Sequence, residues 1–152
     1  MVWCAMSSSG IIGPYIFRKA VTSKNYHRML SFFFFPKIVG HHCFFQQDGA
    51  GPHVADLVVN YLDNKCPGSW IGKRGPVNWP ARSPDLTPND FFLWGYLRER
   101  VYRTSPTTLD KLEELIKAEV CEIDAELCAR VIQNVTSRLE RVIERNGGSS
   151  EH

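Results

Sequence analysis

An α/β domain closed by helices is the fold that this 152-residue sequence predicts. Three observations predict it. Two short β-prone runs open the chain, an apolar run ending at Asp48 turns directly into a helical pattern, and apolar residues recur at helical spacing after Asp90. With 43% hydrophobic and 12% aromatic residues, the length suffices for one domain with a sizeable core.

Val2 to Met6 and Ile11 to Phe17 read as strands of a hairpin, joined by the four residues Ser7-Ser8-Ser9-Gly10. Thr22 is placed to cap a helix carrying Tyr26, Met29 and Leu30 on one face. The run Phe32-Phe33-Phe34-Phe35 stops at Pro36 and Lys37, far short of a membrane span. Met1 runs into Val2-Trp3-Cys4 without a basic segment, so neither a secretory leader nor a membrane partner is expected. Cys43 to Gln47 reads as the next strand, and Gly49-Ala50-Gly51-Pro52 turns the chain into a helix with Pro52 near its first position. Val54, Leu57, Val58, Tyr61 and Leu62 give that helix a buried stripe.

Asn64 to Pro76 reads as a loop leading to a short strand near Val77 to Trp79. Pro80, Pro84 and Pro88 stiffen the approach to a helix with Thr87 as N-cap, Pro88 first and Asp90 third. Its core stripe is Phe91, Trp94, Leu97 and Val101. Two more helices follow: one near Leu109 to Val120, and one from about Ala125 to Asn146 capped by Gly147-Gly148. In the last, Arg130, Arg138, Arg141 and Arg145 alternate with Glu140 and Glu144, the pattern of a solvated, self-paired face.

Charge is unevenly spread. Residues 1–47 hold Arg18, Lys19, Lys24, Arg28 and Lys37 but no acid, so all 16 Asp and Glu lie from Asp48 onward and the net charge of +2 hides a basic first third. Such a segment favours a polyanionic partner. Five cysteines with no export signal read as reduced thiols, and neither His41-His42-Cys43 nor Cys121 with Cys128 has the ligand spacing zinc requires.

Asp48 and Asp90 are the residues that suggest chemistry. Each stands at an element boundary, and paired carboxylates on a rigid frame suit Mg²⁺, which prefers oxygen ligands. Each has an ordinary alternative: Asp48 as a turn residue bonding the amides after it, Asp90 as a helix cap favoured by the dipole. Spacing alone leaves both readings open.

Gln46 to Ala55 reads QQDGAGPHVA and Trp79 to Leu97 reads WPARSPDLTPNDFFLWGYL. Both closely resemble the catalytic domain of Tc1/mariner-type transposases. The opening VWCAMSSSGIIGPYIF and the run from Val135 to Gly148 resemble the same family in its insect DDE-endonuclease branch. The resemblance implies an RNase H-like fold in which three acids hold two Mg²⁺ or Mn²⁺ ions, with Asp48 aligned to the second acid and Asp90, not Asp85, to the third. It implies hydrolysis at a transposon end, followed by attack of the freed 3′ hydroxyl on target DNA, in the nucleus. His53 matches a family histidine that would orient Asp48 or touch a phosphate. Lys73, Arg74 and Arg82 become phosphate contacts that set affinity without reading sequence.

Two departures from the family carry expectations. The 41 residues between Asp48 and Asp90 exceed the usual gap, and the excess falls in the Gly-rich loop. The family's first acid lies on a strand upstream of the segment that Val2-Trp3-Cys4 resembles. The expected fold is therefore an RNase H-like fold lacking its first central strand, spanning residues 1–148, with 149–152 a short disordered tail. The chain is expected to bind nucleic acid but to be inactive alone, working if at all with a second copy or a partner transposase chain. The alternative is a domesticated DNA-binding or protein-interaction module.

Overall fold

The computed structural model describes residues 1–79 and 83–150. The chain divides into two compact units where the sequence suggests one domain: Met1 with Phe17–Arg82, and Val2–Ile16 with the segment from Ser83 onward.

The second unit opens with the hairpin β1 (Val2–Ser7) and β2 (Gly10–Ile16). Ser7 pairs with Gly10, so the connection is two residues rather than four. The Ser7 hydroxyl accepts from the Ser9 amide and donates to Gly10 O, replacing bonds the tight turn leaves open. The register slips between Trp3 and Ala5, where β2 carries an extra residue. Gly13 sits in this bulge at φ +143°, and a methyl group there would meet Cys4 Sγ at 3.0 Å and Trp3 O at 3.1 Å. Only glycine fits both the dihedral and the space.

Helices pack over this hairpin. Pro88 and a widened turn, Asn89–Leu93, lead into α3 (Trp94–Tyr102); α4 (Leu109–Cys121) and α5 (Ala125–Glu144) follow. Cys4, Leu93, Leu97, Val120, Ile123 and Cys128 form the core, with Phe92, Trp94 and Ile116 against it. Burial pushes the Cys4 thiol up to about 12, so it stays a neutral packing group. Leu109 of α4 and Leu139 and Ile143 of α5 are exposed, so these apolar positions are not core. The C-cap of α5 is Arg145, followed by two residues at positive φ, Asn146 at +53° and Gly147 at +92°, and the Gly147 amide bonds Val142 O at 2.9 Å. Asn tolerates this conformation at little cost, and the helix ends at Glu144, two residues before the expected Asn146.

The first unit holds α1 (Ser23–Met29), α2 (Asp56–Lys65) and a parallel pair, β3 (Phe45–Gln46) with β4 (Trp70–Ile71). Thr22 and Asn25 form the capping box of α1. A wide turn over Leu30–Phe34 and a tight one over Phe35–Lys37 extend α1, burying Leu30 and setting Phe34 and Phe35 against Phe45. The helix expected from Pro52 begins at Asp56, because residues 51–54 bend back toward Asp48 in turns. Val58 and Leu62 are fully buried as expected, whereas Leu57 is exposed. β4 lies inside the segment read as loop, and Val77 makes only a single bridge to Ile71. Gly72 and Gly75 let the chain fold against the Trp70 ring, since a methyl on Gly75 would meet it at 2.9 Å.

Each sheet has two strands, so among the described residues β1 pairs only with β2 and β3 only with β4. No helix among the described residues is long and apolar enough to cross a membrane. Gly13→Ala is expected to lower the stability of the hairpin unit by about 1 to 3 kcal/mol, read from the urea midpoint. An unchanged midpoint would mean the bulge accommodates a side chain.

Candidate functional site

Asp48 follows directly on β3. The Gln47 amide still bonds Ile71 O at 3.0 Å, and then the ladder ends and the chain turns. The turn is closed by side chains. Asp48 Oδ1 accepts from the Ala50 amide at 3.1 Å and from His53 Nδ1 at 2.5 Å, while the His53 amide bonds Ala50 O at 2.9 Å. The Asp48 side chain is 65% exposed and that of His53 only 17%. An exposed carboxylate is thus held by a mostly buried imidazole. The hydrogen bond from His53 holds the Asp48 carboxyl below the usual range, helped by the Ala50 amide and opposed by burial. The ordinary role of a turn Asp and the role of a fixed carboxylate therefore coexist in one residue, through one oxygen.

His53 is itself held. Gln47, a buried polar side chain, accepts from the Tyr26 hydroxyl at 3.0 Å and donates from Nε2 to His53 O at 3.0 Å. The Tyr26 ring stacks on the imidazole with centroids 4.1 Å apart and planes at 29°. Neither Tyr26 nor Gln47 stands out in the sequence as functional. Tyr26 reads as one member of a helix stripe, and the only signal for Gln47 is a polar residue at the end of a buried strand.

Of the three basic residues, Lys73 is beside the turn: a methyl on Gly49 would touch its Cδ at 3.4 Å. Arg74 is engaged within the fold, donating from Nη1 to Val54 O at 2.8 Å and to Asp56 at 2.6 Å. That bond ties the β4 loop to the start of α2. Arg82 lies outside the described residues.

Asp90 belongs to the other unit. It is exposed, in the first turn of the Asn89–Leu93 segment, and its amide bonds Thr87 O at 2.9 Å. Beside it, Asn89 Nδ2 donates to Cys4 O at 2.9 Å, pinning this turn to β1. Asp85 has a different environment. Its Oδ2 accepts the Ser150 amide at 2.7 Å and the Ser149 hydroxyl at 3.3 Å, and the Ser150 amide above all holds its carboxyl below the usual range. Arg138 lies 4.0 Å over the Phe91 ring and donates to Asp85 O at 2.9 Å. Ser149 and Ser150, expected in a disordered tail, are instead anchored, and Ser150 is buried because its polar groups find these partners.

The donor chemistry at Asp48 fits a hard cation: Oδ1 is locked, and no described residue bonds Oδ2. The donor count is smaller than a closed site needs. Among the described residues, no group of three or more His, Cys, Asp or Glu side chains could hold a metal ion.

No family model matches the chain. It is 33% identical over 106 residues to the transposable element Tc3 transposase of Caenorhabditis elegans, a match covering 68% of this chain and 30% of that protein. The chain thus spans less than a third of that relative. In structure it is similar to the Mos1 transposase catalytic domain solved with raltegravir and Mn, with a TM-score of 0.80 at 21% identity over 97% of this chain and 74% of that one. It is similar also to Mos1 transposase in a paired-end complex with the left transposon end, at a TM-score of 0.81 and 21% identity over 99% of this chain and 44% of that one. The fold is RNase H-like, as the motifs imply.

A carboxylate whose folded pKa is depressed adds stability above its unfolded value of about 3.9 and loses it as pH falls through the folded value. His53→Ala is expected to raise the Asp48 pKa, read by carbon-13 titration of the carboxyl group. The stability lost in this variant should shrink as pH falls below about 4. An Asp48 titration unmoved by the substitution would contradict the clasp.

Proposed function

Because this chain belongs to the Tc1/mariner family of transposases, we propose that it is the part of a transposase catalytic domain bearing two metal-binding carboxylates, Asp48 and Asp90, and that it engages DNA. The observation that carries the reading is the Asp48 carboxylate: exposed, oriented through Oδ1 and open at Oδ2, within the segment from Gln46 to Ala55 that bears the family motif.

Each residue has a role in this reading. Asp48 and Asp90 would hold Mg²⁺ or Mn²⁺, the ions named in Mos1 structures. When bound, such an ion supplies Lewis acidity toward a phosphodiester. His53 keeps Asp48 ionised and pointed. Lys73, whose stem lies against Gly49, places an ammonium near the turn to neutralise a DNA phosphate. Arg74 and Arg82 are further phosphate contacts, Arg74 at the expense of its bond to Asp56. The acid-free first 47 residues add a positive field that draws DNA in without reading its sequence.

Strand cleavage by a two-ion site needs a further carboxylate, since pre-organised catalysis tolerates little slack in its ligands. The 152 residues alone therefore bind DNA and do not cut it. Mos1 is known in paired-end complexes, and assembly with a second transposase chain, in the nucleus, is the corresponding proposal here.

Binding to duplex DNA is expected to weaken steeply between about 50 and 200 mM salt. Lys73→Ala should weaken it uniformly across sequences and lower the salt slope by about one. Absence of binding at low salt would sink the DNA role. In a nicking assay with Mn²⁺ the chain is expected to be inactive, and nicking that survives Asp48→Asn would overturn the carboxylate assignment.

A further inference from the structure

Tyr26 lies outside every motif that carries the site, 22 residues before Asp48 and on a different element. It is 1% exposed and bears on His53 by two routes. Its ring covers the imidazole face at 4.1 Å, and its hydroxyl fixes Gln47, whose amide in turn holds the His53 carbonyl. One route fixes the plane of the ring and the other fixes the backbone that carries it. The imidazole so held contacts the one Asp48 oxygen that is engaged.

A core position on α1 would be served by any large apolar residue. The buried hydroxyl, and a buried glutamine to receive it, are polar groups that cost stability unless paired. Here both are paired, the hydroxyl with Gln47 Oε1 and the glutamine amide with the His53 carbonyl. An Asp side chain 65% exposed would otherwise turn about its own bonds, so that its open oxygen pointed in no fixed direction.

We propose that Tyr26 is a positioning residue for Asp48: it clamps the His53 imidazole against Oδ1 and so presents Oδ2 in one orientation to a divalent cation. The proposal rests on reading Asp48 as a metal-binding carboxylate. Gln47 is the second member of the clamp, acting on the backbone of the turn rather than on the ring.

The test uses the whole chain, Mn²⁺ alone as probe, and Tyr26→Phe, Tyr26→Leu and His53→Ala singly and combined. Tyr26→Leu, which removes the ring, is expected to weaken Mn²⁺ binding about tenfold, and Tyr26→Phe, which keeps the ring, by about twofold. Both effects should vanish in the His53→Ala background, because a positioning residue acts only through its intermediary. Losses of the same size with and without His53 would overturn the proposal. A second readout is independent of metal: nitrogen-15 resonances of the His53 imidazole at one fixed pH. The hydrogen on His53 Nδ1 is expected to stay in slow exchange with water in the unaltered chain and in Tyr26→Phe, and to exchange fast in Tyr26→Leu as the ring loses its fixed hydrogen bond to Asp48. Slow exchange retained in folded Tyr26→Leu would also overturn it. Should circular dichroism show that Tyr26→Leu does not fold, the cycle of Tyr26→Phe with His53→Ala decides by the same criterion. Asp48→Asn separates the two claims. Mn²⁺ binding unchanged by it defeats the metal reading, while the imidazole spectra still decide whether Tyr26 positions His53.

Discussion

The hydrogen bond between His53 and Asp48 constrains the chain around it more than any other single contact. It explains why the backbone leaves β3 in a closed turn, why α2 begins at Asp56 instead of at Pro52, and why a glutamine is buried at the end of a strand. A carboxylate at that position could be satisfied by the amides of the turn alone. The imidazole adds a second bond to the same oxygen and directs the other oxygen outward. Electrostatics and geometry agree, because the bond that orients Asp48 also favours its ionised form.

The hairpin unit uses a different economy of contacts. Among the described residues its sheet has two strands, so stability comes from the helices packed against it and from a few polar ties. Asn89 bonds the carbonyl of Cys4 at the bulge, and Arg138 joins Asp85 to Ser150 while lying on Phe91. Two neighbouring acids in one motif thus have separate tasks. Asp85 is spent on anchoring the end of the chain, and Asp90 stands exposed at the start of the next helix.

Similarity to a transposase in sequence and to a transposase catalytic domain in structure converge on one family. At 21% identity the structural match speaks for the fold, and the 33% match in sequence carries the family. Asp48 is exposed and held through Oδ1, and the contact that holds it also lowers its pKa.

Local signals determined a good part of this protein. Thr22 as a cap, the stripe of α3 with Leu97 and Val101, and the hairpin all follow from capping chemistry and periodicity, which act over a few residues. The motifs around Asp48 and Asp90 were legible for the same reason, being short and contiguous. What only the tertiary structure decided involves partners distant in sequence. β4 was hidden in a Gly-rich loop because a two-residue parallel strand has no pattern of its own and exists by pairing with β3. Tyr26 looked like one more core residue, and only the folded chain sets its ring on His53 and its hydroxyl on Gln47. Asp85, which the resemblance passes over, finds its partner only in the folded chain, where the amide of Ser150, 65 residues away, bonds its Oδ2. Periodicity reports which face of an element is buried, but a hydrogen bond between remote side chains leaves no trace in either local sequence.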